Sequence, residues 1–147
     1  MTGGKRALGL DLGERRIGVA ISDELGAIAS PLAMIPRGEG DLDEIARLAA
    51  DHAVGAVVVG LPTGMSGREG PQAAVTRAFA GDLAARLGAA APVRFWDERL
   101  TSAIADRVML ERGTKRDARK QQRDAIAAAV ILQGWLDSQR SRRGGPG

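Results

Sequence analysis

Apolar and small positions alternate with a period of two over Ala7 to Leu12, where Leu8, Leu10 and Leu12 fall on one side and Gly9, Asp11 and Gly13 on the other. That period predicts a strand. Residues 17–22 repeat it, setting Ile17, Val19 and Ile21 against Gly18, Ala20 and Ser22. Only Gly13-Glu14-Arg15-Arg16 separates the two runs, so they predict a hairpin. A third apolar run, Ala27 to Ile35, follows a turn at Asp23–Gly26 and extends the meander. Pro31 within it marks an edge strand or a bulge.

The period then lengthens. Asp41 to Ala53 gathers Leu42, Ile45, Ala46, Leu48 and Ala49 on one helical face, with Asp41 as the expected N-cap. Ala56 to Gly60 is wholly apolar, the signature of a strand buried on both faces. After a glycine-rich loop the pattern predicts a helix over Pro71 to Leu87, a strand over Val93 to Asp97, and helices over Thr101 to Arg112 and Arg119 to Gln139. The reading is an α/β domain over residues 1–139. Its five-stranded mixed sheet joins a three-strand antiparallel meander to two parallel strands, flanked by helices. Residues 140–147, with three arginines, three glycines and a proline, are expected to form a disordered basic tail.

Composition narrows the chemistry. Cysteine is absent and histidine occurs once, at His52, which excludes thiolate nucleophiles and zinc sites of the usual Cys/His kind. Any metal must be held by oxygens, which favours magnesium, manganese or calcium. His52, between a helix and a strand, reads as a boundary residue. No run approaches the ~20 apolar residues of a membrane span, and the N-terminus lacks a signal-peptide core, so a cytoplasmic protein without a membrane partner is expected.

The net charge of +3 hides an asymmetry: residues 1–106 hold 11 Lys/Arg against 14 Asp/Glu, and residues 107–147 hold 10 against 4. A basic C-terminal third on a mildly acidic body suits a polyanionic partner. Arg15, Arg16, Arg99, Lys115, Arg116, Arg119, Lys120 and Arg123 are the candidate phosphate contacts. With four aromatic residues, Phe79, Phe95, Trp96 and Trp135, extensive base stacking is not expected. Trp96 is the one that stacks if exposed.

Three carboxylates stand out. Asp11 lies inside a strand otherwise apolar or glycine, where a charge is costly, and its small neighbours suggest open space for a metal or a phosphate. Asp97 and Glu98 close a strand at the edge where α/β sheets bind ligands, and only one of them faces the same way as Asp11. Asp124 heads the apolar stripe of the last helix, with Ala128, Ile131 and Trp135. Carboxylate-held Mg²⁺ or Mn²⁺ is the ordinary apparatus of phosphodiester hydrolysis and requires no histidine.

GLDLGERRIGVAISD at 9–23, VGLPTGMSGREG at 59–70, WDERLTS at 96–102 and DAIAAAVILQGWL at 124–136 closely resemble the YqgF/RuvX family. Its members are bacterial nucleases of RNase H-like fold, described as Holliday junction resolvases and as processors of the pre-16S rRNA 5′ end. The resemblance runs in order from about Leu8 to Leu136. It implies a metal-dependent nuclease with Asp11, Glu98 and Asp124 as the acidic triad, Asp97 being the alternative to Glu98. It also implies two Mg²⁺ or Mn²⁺ ions with substrate bound. Gly13, Gly60, Gly64 and Gly67 are then loops that let a nucleic-acid backbone approach. Pre-16S rRNA is the first expected substrate and a DNA junction the alternative, acted on by a monomer or homodimer. GLDLGERRIGVA also resembles the phosphate hairpin of actin- and Hsp70-type ATPases, but those need a second domain and a second glycine-rich hairpin. An inactive nucleic-acid-binding module is the remaining reading, and intact carboxylates argue against it.

Overall fold

The computed structural model of this chain describes residues 6–62, 70–97 and 116–143, with side chains over 6–62, 70–97 and 125–140. Its elements are β1 (Arg6–Leu12), β2 (Arg16–Ser22), β3 (Ala29–Pro36), α1 (Asp41–Asp51), β4 (Val54–Leu61), α2 (Pro71–Leu87), β5 (Val93–Asp97) and α3 (Arg116–Arg143). The strands form one sheet in the order β3-β2-β1-β4-β5. β1 pairs antiparallel with β2 and β2 with β3, whereas β4 lies parallel to both β1 and β5. The mixed five-stranded sheet is the one expected. The helix expected at Thr101 to Arg112 falls outside the described residues.

The period-two pattern sorts the strands onto two cores. Leu8, Leu10, Ile17, Val19, Val57 and Val59 pack with Ile45, Phe79 and Leu83 under α1 and α2. Ala7, Ala20 and Val58 pack with Ala128, Ile131, Leu132 and Leu136 of α3 on the other face. β4 is therefore covered on both sides, as its unbroken apolar run requires. Pro31 stands both on an edge strand and at a bulge, where the β2–β3 register skips between Val19 and Ala20.

Several boundaries move. α1 is capped by Gly40 in the left-handed region, at φ 89°, and not by Asp41. Asp41 instead begins the helix and accepts the Gly38 amide at 3.2 Å, while Asp41, Asp43 and Glu44 set negative charge against the helix N-terminus. His52 does end α1, its Nδ1 lying 2.9 Å from the Leu48 carbonyl oxygen. α3 begins three residues early and continues past Gln139 to Arg143, so 140–143 are helical and not tail. Gln, Ser and Arg continue a helix at little cost, and Gly144 is the first residue after Gly134 that does not.

Gln133 fastens α3 to the meander. Its amide nitrogen donates to the Ala27 carbonyl and its amide oxygen accepts the Ala29 amide, both at 2.9 Å. One side chain thus supplies the two bonds that a neighbouring strand would otherwise give to the start of β3. The loop before it is tied by Asp23, whose carboxylate accepts the Ala27 amide at 2.7 Å and the Ile28 amide at 3.3 Å.

Candidate active site

Asp11 stands half-buried at the C-terminal end of β1, beside Gly18 of β2. Leu10 pairs with Val59 and Gly60 with Trp96, so one further step brings Asp11 level with Gly60 and Trp96 in the middle of the sheet. Strand alternation puts Asp11 on the α3 face with Ala7 and Gly9.

The space expected above that face is filled at Gly9. A Cβ there would lie 2.7 Å from Leu132 Cβ and 2.8 Å from the Ala128 carbonyl oxygen. The glycine admits a helix backbone and not a ligand. Both uses require a missing Cβ, so the sequence pattern is the same for either. The close approach has a consequence for the site. Leu136 reaches Gly26 and lines a cleft with Arg6 and Ala7, while Ala128 and Leu132 cover Gly9. α3 therefore runs back along β1, from its start toward its end as residue numbers fall. Four residues of helix advance about 6 Å and two of strand about 7 Å, so the turn of α3 that begins at residue 124 comes toward the Asp11 end of the strand.

On β5 the register fixes the face of Asp97. Asp97 pairs with Leu61 and shares the α1/α2 face with Val93 and Phe95, opposite the face that carries Asp11. Glu98 lies outside the described residues, as do Arg99, Lys115, Gly64 and Gly67. Arg116, Arg119, Lys120, Arg123 and Asp124 lie in the first turns of α3, where the backbone alone is described. Trp96 does not present a stacking surface: its indole packs against α3, where a Cβ on Gly134 would stand 3.0 Å from the ring. Its Nε1 is buried and has no hydrogen-bond partner among the described residues.

The β1–β2 turn closes by a 3.0 Å bond from the Gly13 amide to the Arg16 carbonyl, leaving Glu14, Arg15 and Arg16 exposed. Arg37, which the sequence pattern did not single out, braces this turn. Its backbone amide donates to the Arg15 carbonyl at 2.9 Å and its guanidinium donates to the Gly13 carbonyl at 3.0 Å. Only the β2–β3 register, which pairs Arg16 with Pro36, brings residue 37 to this turn. Between the turn, the end of β4 and the first turns of α2 opens a cleft of about 470 Å³ that Asp11 helps to line.

Among the described residues, no three carboxylates or histidines form a group able to hold a metal ion. Asp11 supplies one oxygen donor of the kind that Mg²⁺ and Mn²⁺ take. The described helices include none long and apolar enough to cross a membrane.

Comparison with known proteins places the chain in a family and agrees with its fold. A family described as "RuvX: Holliday junction resolvase" matches residues 5–138. A Chloroflexus aggregans protein named "Putative pre-16S rRNA nuclease" is 50% identical over 136 residues, covering 91% of this chain and 94% of its own. The Myxococcus xanthus protein of the same name is 46% identical over 137 residues, covering 92% and 89%. In fold, T. thermophilus RuvC bound to a Holliday junction substrate superposes with a TM-score of 0.57 at 14% identity, covering 95% of this chain and 96% of its own. The fowlpox virus resolvase, also solved with junction DNA, gives 0.57 at 12% identity over 91% and 98%. These two share an RNase H-like fold with this chain. With a family match from residue 5 to 138 and relatives near half identity over nine-tenths of its length, the chain belongs to the RuvX family.

Proposed function

We propose that this chain, a nuclease by family, hydrolyses phosphodiester bonds in the 5′ leader of pre-16S rRNA, using divalent metal held by Asp11, Glu98 and Asp124. The observation that supports this most is the path of α3, which crosses Gly9 and carries residue 124 toward the end of β1 where Asp11 stands. Glu98 is preferred to Asp97 because alternation sets Asp97 on the opposite face of the sheet from Asp11. Bound Mg²⁺ or Mn²⁺ supplies an activated water and neutralises charge on the leaving oxygen. The chain's own residues hold the ions and orient the strand. Arg15 and Arg16 on the first turn, Arg99, and Lys115 through Arg123 before Asp124 take backbone phosphates, and Gly13, Gly60, Gly64 and Gly67 let that backbone come close. A single-stranded leader requires no two-fold partner, so a monomer suffices, and the substrate places the enzyme in the cytoplasm.

The test offers the purified protein three substrates in Mg²⁺ and in Mn²⁺: a pre-16S leader RNA, single-stranded DNA and a four-way DNA junction. Leader RNA is expected to be cut, and cutting to stop in EDTA. Asp11→Asn should lower turnover by orders of magnitude while the protein stays folded. Undiminished cutting by that variant or in EDTA overturns the mechanism, and preferential cutting of the junction overturns the substrate.

A further inference from the structure

The cleft of about 470 Å³ beside Asp11 has a composition that the three carboxylates do not account for. Arg37 enters it half-buried, its guanidinium held from two sides by the Gly13 carbonyl at 3.0 Å and by the Phe79 ring, 5.9 Å from the centroid. Among the described residues no carboxylate lies within ion-pair distance of it. A guanidinium has five N–H donors, and one of them goes to Gly13. The cleft is thus lined by a fixed planar cation whose charge the described residues leave unpaired. Around it stand the exposed Gln72, the buried Thr76, and Val75, Leu12 and Pro62 as apolar wall. Glu14 lines the same cleft from the turn and is exposed to water. The volume falls within the ~300–1,000 Å³ range of small-molecule sites.

We propose that this cleft is a subsite for one nucleotide of the bound strand, with Arg37 taking its phosphate, Val75 and Pro62 meeting sugar or base, and Gln72 meeting a polar edge. The inference rests on the nuclease reading for its strand, and it adds a residue and a binding site to it. A cation fixed before the ligand arrives loses little freedom on binding, and its planar fork matches two phosphate oxygens.

Binding of a labelled 12-nucleotide RNA, with Ca²⁺ in place of Mg²⁺, tests this across a salt titration. Arg37→Gln should weaken binding by about tenfold and make the log K versus log salt slope shallower by roughly 0.7, one phosphate contact on a single strand. Because that change also removes a brace on the turn, Gln72→Glu is the second variant. A carboxylate in the first turn suits the helix, so its melting temperature should hold while RNA binding weakens several-fold. Uridine 5′-monophosphate should shift the amide resonances of Val75 and Thr76. If both variants keep wild-type affinity and slope, the subsite does not exist. The same holds if the mononucleotide shifts those amides while RNA binding is unchanged, which makes the cleft a free-nucleotide site. Absence of cleavage by wild type, with binding still weakened in both variants, overturns the nuclease reading and leaves the subsite standing.

Discussion

Gly9 and Leu132 meet so closely that a single added carbon on Gly9 would stand 2.7 Å from the Leu132 Cβ. The obstruction is not a flexible side-chain end, because the Ala128 carbonyl oxygen lies 2.8 Å from the same point. Gly9→Ala must therefore displace α3 as a unit. Overpacking of this kind costs about 1–3 kcal/mol, read as a lower melting temperature. Cleavage should fall further than stability alone explains, because the displaced helix carries Asp124. Gly134→Ala is the comparison: its 3.0 Å contacts are with the Trp96 ring, which can tilt, so the loss should be smaller.

The two acids at the end of β5 should respond unequally. Asp97 shares a face with Phe95, over whose ring Arg77 of α2 is stacked at 4.9 Å, and that face turns away from Asp11. Glu98→Gln should reproduce the loss seen with Asp11→Asn, whereas Asp97→Asn should retain most turnover. Comparison of single-turnover rates decides it, and the reverse ranking would move the metal ligand to Asp97.

Gln133→Leu removes both bonds that hold the start of β3 to α3 and leaves the Ala29 amide and Ala27 carbonyl unpaired. Each unmet buried group costs about 1–3 kcal/mol. A destabilisation near the lower end is expected for these part-buried bonds, with faster hydrogen exchange at Ala29. Exchange at Ala29 equal to wild type would show that water replaces the side chain without loss.

Asp23 makes the same loop sensitive to acid. The Ala27 amide, and after it the Ile28 amide, hold its carboxyl below the ordinary value of 3.8. A carboxyl depressed in the folded state contributes its full stabilisation above the unfolded value, and loses it as pH falls through the lower folded one. Exchange protection at Ala27 and Ile28, corrected for intrinsic rate, should be flat above about pH 5 and drop only below the ordinary carboxylate range. Asp23→Asn should show lower protection without that acid step.

The fold was legible because its strands write their two faces plainly. Leu8 and Leu10 against Gly9 and Asp11 already assign the α1/α2 core and the α3 face, and Val57 to Val59 announce a strand covered on both sides. The site was less legible, for two physical reasons. A small residue reads alike whether it makes room for a phosphate or for a helix, and Gly9 does the second. Arg37 is invisible to local pattern because its role comes from pairing across strands. Its neighbours on the chain, Pro36 and Gly38, give no hint that it reaches a turn more than twenty residues earlier. The face of Asp97 could not be read locally either, because it follows from the β4–β5 register, which pairs Asp97 with Leu61.

The clamp from Gln133 to Ala27 joins residues 106 apart in the chain. Closing so long a loop earns nothing until nearly every element between is in place, since its entropic cost precedes its contacts. During synthesis the meander and its first core can form while α3 is still being made. Asp11 would then sit beside an uncovered Gly9 with no helix to bring Asp124 toward it. If the proposed triad does the cutting, its acids come together only at the end of folding, once α3 has docked across Gly9.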